Sequence, residues 1–581
     1  MTLQQRPLLR AGVLIGVAII CLGPGTATAC AQSTSPAAAN PGTPLPILQY
    51  IHQGWNSLTR SMADCKSVVD IKVTTPPLLY LPAGMATPPA VQSIQRQCGV
   101  RVEHLPRHIG SMGDVKVSEL REQGLLYLPD RYVVPGGRFN EMYGWDSYFI
   151  LLGLVADHRV ELARGIVENF FFEIDNYGAV LNANRTYFFT RSQPPLLSSM
   201  IREVYEHSSN RQQAKVWLAK AYVHAQRDYR LWSTPPHLAG HTGLARYTDI
   251  GDGPVPEMED DSTYYSDVIR WLLAHPQLHT TYLLNSSEQP GQDEAASLAR
   301  SSCDITMSKV CARAVVDGHR LTSAFYHGDR AMRESGFDTT FRFGPFSGST
   351  DQFAPVCLNS LLYRYERNMA HFASILGRSK DILLWNQRAE SRKAAISRYL
   401  WNRDKESFYD YNYVSGKQSG YDYLTAFYPL WAGVAGVAQA KSIEKHLPLF
   451  EHEGGLAMSG YQSGTQWDLP YGWAPVNWLT VEGLANYGYK GDAQRLSAKF
   501  VHEVEQNYGR DGTVREKYNV VSGSANFEVS AGYKANVVGF GWTNGVYLRM
   551  LELLGGSRTK MGDPTDSHAA PAPHSSKPQT P

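Results

Sequence analysis

Carboxylates, guanidinium groups and aromatic rings recur together in this chain, in short segments that no helix can continue. QWDLPYGWAP, residues 466–475, sets Trp467, Tyr471 and Trp473 around Asp468, while Pro470 and Pro475 bar a helix or a central strand. Comparable mixtures occur in PGGRFNEMYGWDSYF (135–149), NANRTYFFTRSQPP (182–195), ESGFDTTFRFGPFSG (334–348), REKYN (515–519) and GFGWTNG (539–545). Rings beside charged groups can form the floor of a ligand cleft. Guanidinium and carboxylate groups suit a polyhydroxyl ligand, because they make several charge-assisted hydrogen bonds to neighbouring hydroxyls. One such stretch taken alone could equally plug a gap between helices. By the same standard Asp338 is a turn residue or cap, and Glu516 beside Lys517 a solvated ion pair.

The elements around these segments favour the cleft. From about Ser147 to Leu554 the chain reads as long helices separated by loops rich in Gly, Pro and aromatic residues. YFILLGLVADHRVELARGIVENFFFEI is a helix pair broken near Asp157, and LLSSMIREVYEHSS, RQQAKVWLAKAYVHAQRDYRLW, CLNSLLYRYERNMAHFASILGR and AQRLSAKFVHEVEQNYG continue the series. Strand-like alternation is scarce, so the expectation is an all-α body with one large core. Helices of similar length joined as hairpins make either a solenoid or a closed ring, and the absence of a fixed-length repeat weakens the solenoid. Each polar, aromatic loop lies directly before or after an expected helix. In a ring such loops converge at one end, which predicts a single polar, aromatic-lined pocket.

Composition narrows the partners. The chain has 581 residues, 43% hydrophobic and 19% charged, with a formal net charge of +1. It lacks the Lys/Arg runs of a nucleic-acid surface. Aromatic content is 11%, with 33 Tyr and 12 Trp. At the N-terminus Arg6 and Arg10 precede the apolar run AGVLIGVAIICLG and then Ala27-Thr28-Ala29, the build of a signal peptide over residues 1–29. The run is short for a membrane span. The expectation is therefore a periplasmic or secreted protein, with lipid anchoring at Cys30 as the lesser alternative. A Ser/Pro/Ala linker over 30–46, an N-terminal extension over 47–117, a body over 118–555 and an apolar-poor tail over 556–581 complete the expected organisation. Cys65 with Cys98, and Cys303 with Cys311, are candidate bridges by proximity. No cysteine or histidine spacing suits a structural metal.

Two of these segments, PGGRFNEMYGWDSYF and QWDLPYGWAP, with RSQPP between them, resemble the signatures of family 37 glycoside hydrolases, the trehalases. The matched motifs run from about Tyr132 to Gly545. The resemblance implies an (α/α)6 barrel, a toroid of helical hairpins, with an irregular N-terminal extension. It implies inverting hydrolysis of an α-glucosidic bond without metal or organic cofactor, and α,α-trehalase activity first among the candidates. Inversion needs one carboxyl to protonate the leaving oxygen and another to activate water, about 6.5–9.5 Å apart. The family's acid lies in a motif matched by Glu334-Ser335-Gly336-Phe337-Asp338, so Asp338 is the expected acid. Its base lies in a motif matched by Glu516-Lys517-Tyr518, so Glu516 is the expected base. The same carry-over makes Arg138, Trp145, Asp146, Asn182, Arg191, Ser192, Gln193, Glu257, Gly336, Trp467 and Asp468 substrate-binding residues. A small sugar is the implied partner of a monomeric enzyme.

The chain departs from the family pattern in three places. Val255-Pro256-Glu257 replaces Arg-Pro-Glu, which puts an apolar side chain where a sugar-contacting Arg is usual. SAGYKANVV replaces a Gly-rich stretch ending in Glu-Tyr, with Glu528 the nearest substitute. Phe337 and Phe343 stand where Trp is usual. These changes leave two alternatives to trehalose hydrolysis: an inverting hydrolase of another α-glucoside, and a sugar-binding protein without turnover.

Overall fold

A helix that is apolar on every side has to be surrounded by protein. Asp146–Ala156 buries all of its residues, and Ala474–Asn486 and Gly541–Leu553 are nearly as enclosed. These helices form the inner wall of the computed structural model, which describes residues 45–69, 76–255, 257, 263–278, 281–285, 314–529 and 536–555. The leader-like run, most of the linker and the tail from residue 556 lie outside the described residues, as do Cys303 and Cys311.

Twelve helices alternate between an outer and an inner layer. They are α1 (Ile47–Leu58), α2 (Asp146–Ala156), α3 (Val160–Asn176), α4 (Leu197–His207), α5 (Arg211–Trp232), α6 (Val356–Leu376), α7 (Ser379–Ala395), α8 (Tyr428–Ala432), α9 (Val437–Glu444), α10 (Ala474–Asn486), α11 (Lys490–Asp511) and α12 (Gly541–Leu553). The even-numbered helices pack each on the next, and α12 packs back on α2, so the inner layer closes. The architecture is the (α/α)6 toroid. The closing seam depends on two glycines. A Cβ on Gly545 would lie 2.1 Å from the Phe149 carbonyl oxygen, and one on Gly153 would lie 2.5 Å from Gly545 Cα. The outer helices are one-sided, as a surface layer must be. α5 buries Ala214, Trp217, Leu218, Ala221, Ala225 and Trp232 at helical spacing and starts with Asn210 accepting from Gln213 N at 3.1 Å.

Two features differ from the sequence expectation. The first is the core. Besides the large cluster inside the ring there is a second, built from the segment between α5 and α6 around Val255, Tyr265, Ile269, Leu321 and Phe325. It packs helices Tyr264–Ala274 and Ser323–Glu334 with a small antiparallel sheet, in which His319–Leu321 lies between Leu283–Asn285 and Val315–Val316.

The second is the N-terminal segment. The stretch from 74 to 102 reads as extended, yet Pro89–Cys98 is a helix inside a parallel three-stranded sheet, where Leu78–Leu81 lies between Arg101–His104 and Leu125–Leu126. Pro89 acts here as a helix starter, a position that needs no N–H, and Gly99 ends the helix in the left-handed region at φ 65°. The disulfide Cys65–Cys98 ties this helix to the chain after α1, and Cys357 is free and buried. Among the described residues no helix is long and apolar enough to cross a membrane.

Candidate active site

The inner helices α2, α4, α10 and α12 begin at one end of the ring, and the loops leading into them carry the polar, aromatic motifs. Arg138, Trp145, Asp146, Asn182, Arg191, Gln193, Glu257, Gly336, Asp338, Trp467 and Glu516 line one cavity there, of about 200 Å3. Asp338 and Glu516 thus face the same enclosed space, and among the described residues no hydrogen bond joins them.

The loop before α2 is clamped from outside. Arg60 Nη2 donates to the carbonyls of Gly137 at 3.3 Å and Phe139 at 3.0 Å, and its Nε to Asn140 Oδ1 at 3.1 Å. That grip leaves Arg138 exposed at the mouth, its guanidinium 5.0 Å over the Phe139 ring. Trp145 N donates to Gln193 Oε1 at 2.8 Å, so the amide carbonyl of Gln193 is used by the scaffold. Trp145 meets Phe337, Trp542 and Trp467 with ring centres 5.6, 5.8 and 5.9 Å away. Gly336 must be glycine: its φ is +77°, and a Cβ would come within 2.8 Å of the Trp145 ring. Trp467 stacks on Trp473 at 3.8 Å with planes 4° apart, which forms the wall facing Trp145.

Asp146 stands at the head of α2. Burial drives its carboxyl well above the ordinary range, helped by the charges of Glu516 and Asp338 and opposed by its own backbone N–H. Arg191 pairs with Glu257 and lies 3.8 Å from Asp249. Burial alone would raise the Glu257 carboxyl, but Arg191 and Arg333 hold it below its ordinary value. Asp338 is the opposite case. Burial pushes its carboxyl up to about 6, against the pull of Arg333, whose Nη1 is 3.8 Å from Oδ2, and of Arg191.

Across the cavity Glu516 sits at a bend directly before the strand Lys517–Asn519, which pairs with Tyr471–Trp473 so that Lys517 faces Trp473. Glu516 N donates to Val537 O and its carbonyl accepts from Trp542 Nε1, each at 3.0 Å. Lys517 Nζ lies 3.0 Å from Glu516 Oε2. The pair that reads from sequence as solvated is therefore a fully buried ammonium beside a carboxylate on the cavity wall.

Two expected binding residues do not reach the cavity. Ser192 is buried, donating from Oγ to Val180 O at 2.6 Å and from N to Glu334 Oε1 at 3.3 Å. Asp468 sits behind the wall with both oxygens occupied. It accepts from Thr340 Oγ1 at 3.1 Å, Phe341 N at 2.9 Å, Ser459 Oγ at 3.0 Å, Ser463 Oγ at 2.6 Å and Thr465 Oγ1 at 3.0 Å. Its role is to fasten the Asp338 loop to the loop over 459–465. Glu528 is exposed and does not line the cavity, so it is no substitute there. Val255 points into the second core with its N accepted by the Tyr265 hydroxyl at 3.0 Å.

A guanidinium nevertheless enters the cavity from the other side of that core. Arg333, missed by the sequence reading, is held by Asp329 through Nε at 3.2 Å and Nη2 at 3.3 Å and lies 5.2 Å over Tyr264. Its spacing from Asp329, one helical turn before the Asp338 loop, was the available signal. Gln466 was also missed; its Nε2 donates to the carbonyl of Asp338.

The comparisons with known proteins agree with this geometry. A family model described as Trehalase matches residues 49–555. A probable trehalase of Eremothecium gossypii is 33% identical over 574 residues, covering 87% of this chain and 72% of that protein. A cytosolic neutral trehalase of Saccharomyces cerevisiae is 34% identical over 562 residues, covering 86% and 70%. The solved structure of neutral trehalase from Saccharomyces cerevisiae superposes with a TM-score of 0.70 at 31% identity, over 87% of this chain and 93% of that one. One expectation is corrected by these findings. The leader-like start pointed to a signal peptide and a periplasmic or secreted protein, whereas relatives from Saccharomyces cerevisiae, Emericella nidulans and Neurospora crassa are named as cytosolic enzymes. A short apolar run after two arginines is a local pattern that other N-termini also show, and the export reading is withdrawn.

Proposed function

Since the chain belongs to the trehalase family and is a glycosidase of the α,α-trehalase type, we propose that it hydrolyses trehalose to two glucose molecules with inversion, Asp338 acting as acid and Glu516 as base. The observation that carries this reading is that these two carboxyls line one cavity in opposite settings, Asp338 desolvated and Glu516 beside an ammonium. A carboxyl held to about 6 keeps its proton where an ordinary Asp has lost it, which is what protonation of a leaving oxygen requires.

In the reaction a water molecule gives a proton to Glu516 as its oxygen attacks the anomeric carbon. The bond from that carbon to the bridging oxygen breaks, and Asp338 protonates the bridging oxygen, which leaves as the hydroxyl of the second glucose. Solvent then reprotonates Asp338 and removes the proton from Glu516. Arg138, Asn182, Arg191, Gln193, Glu257 and Arg333 supply hydrogen bonds to the hydroxyls, and Trp145 and Trp467 supply apolar faces. Asp146, buried beside both reacting carboxyls, is a further hydrogen-bond partner for the sugar that sits between them.

The test is glucose release from trehalose by the purified full chain, with anomers followed by NMR. Asp338→Asn and Glu516→Gln should each lower kcat by about 10²–10⁴ while the fold persists. Inversion of one α-linkage releases equal α- and β-glucose at first, so α-glucose alone would refute the proposed chemistry. For the free acid, kcat/KM should fall as pH rises through about 6, because the proton on Asp338 is then lost.

A further inference from the structure

A fully buried ammonium is stable only with compensating charge and hydrogen bonds around it. Lys517 is such a group: it is completely enclosed, and its Nζ reaches Glu516 Oε2 at 3.0 Å and lies 5.0 Å from the centre of the Trp473 ring. Glu516 sits at a bend directly before the strand Lys517–Asn519, so the contact between these sequence neighbours is made across that bend. The packing around Lys517 is well defined. Lys517 N donates to Asn536 Oδ1 at 3.3 Å while Asn536 Nδ2 donates back to the Lys517 carbonyl at 3.0 Å. Trp473, which faces Lys517 across the strand pair, donates from Nε1 to the Gln466 carbonyl at 2.8 Å and stacks on the cavity wall residue Trp467.

The geometry leaves the two oxygens of Glu516 unequal. Oε2 is taken by the ammonium, while among the described residues no hydrogen-bond donor meets Oε1, and Glu516 lines the cavity. Asp146, at the head of α2, opposes negative charge on Glu516 whenever it ionises, and Asp338 lines the same cavity. Among the described residues, Lys517 is the cation in ion-pair contact with it. Resting on the reading of Glu516 as the base, we propose that Lys517 is its positioning residue. It anchors one carboxylate oxygen so that the other is presented to the attacking water, and it offsets the repulsion from Asp146. Lys517 touches neither sugar nor water in this role; it acts through Glu516.

The test compares Lys517→Met, Lys517→Arg and Glu516→Gln in the full chain, with kcat, KM and pH profiles on trehalose and thermal melting. Lys517→Met keeps the length and burial of the stem and removes the charge. It should lower kcat about ten- to a hundredfold with KM changed less than about threefold, and shift the acidic limb of the kcat profile upward by about one pH unit. The alkaline limb, which belongs to Asp338, should stay in place. Lys517→Arg should restore the acidic limb. A purely structural lysine would lower the melting temperature and the amount of active enzyme without moving that limb, and this result overturns the inference. If neither Lys517→Met nor Lys517→Arg folds, the residue is structural and the inference falls as well. Glu516→Gln separates the two levels: retained activity there removes the base assignment itself, whereas its loss together with an unmoved limb in Lys517→Met removes only the role of Lys517.

Discussion

The two walls of the cavity are built in different ways. The Asp338 wall hangs from the segment inserted between α5 and α6, whose helix Ser323–Glu334 has a core of its own and delivers Arg333 and the glycine-dependent turn at Gly336. The Glu516 wall belongs to the ring, as a short strand pair whose strand Tyr471–Trp473 leads directly into α10. The first wall buries its carboxyl and keeps the Arg333 guanidinium at 3.8 Å. The second puts an ammonium in contact at 3.0 Å. Side chains of nearly identical chemistry thereby stand in different electrostatic settings, and the difference comes from how far the compensating charge stands from each.

The contrast can be broken by loosening the first wall. Asp468 receives five donors from two segments, and Asp468→Ala would leave them without that acceptor. We expect a stability loss of about 2–4 kcal/mol in denaturant unfolding and a lower kcat, with KM little changed because Asp468 does not line the cavity. A rise in KM larger than the fall in kcat would show that Asp468 handles substrate after all.

Arg333 sharpens the contrast with a smaller effect. Arg333→Gln should raise KM about ten- to thirtyfold through the loss of charge-assisted hydrogen bonds. Because Arg333 pulls the Asp338 carboxyl down against burial, its removal should let that carboxyl rise above 6 and carry the alkaline limb upward. A limb that moved downward or stayed fixed would mean that Arg333 does not act on Asp338.

The smallest effect lies outside the cavity, in a carboxyl with no catalytic work. Asp228 on α5 is buried with Tyr365 donating at 3.0 Å, and burial pushes it up to about 7. The unfolded chain releases this proton near pH 4, so the folded state binds the extra proton between about 4 and 7 and loses stability as pH rises through that window. Asp228→Asn should remove this dependence and raise stability at pH 8 by on the order of 1 kcal/mol, with kcat unchanged. Equal melting of both proteins at pH 8 would argue against a desolvated Asp228.

Much of the ring was legible because its signals are local. α5 shows its buried stripe at helical spacing, and the run from Tyr148 to Ala156 is apolar enough to announce an inner helix. The helix Pro89–Cys98 was not legible, since Pro89 reads as a breaker unless its place at the first turn is known. The site divides similarly. Arg138, Trp145 and Glu516 stand in motifs and do line the cavity, whereas Asp468 stands in an equally marked motif and turns away. Arg333 adjoins a motif and was missed: its spacing from Asp329 marks the pair, but nothing local says that the helix carrying it aims its last turn at the cavity.

By itself the sequence determined the helix-rich body, the loops that carry the chemistry and the order in which they come. Only the tertiary structure decided which side of each loop meets the cavity, that Val255 belongs to a second core, and that Lys517 is sealed in beside Glu516. Helical periodicity and turn residues act over a few positions along the chain. The setting of a charge depends on which distant segments exclude water from it and where they leave the opposite charge, and that exists only once the ring has closed.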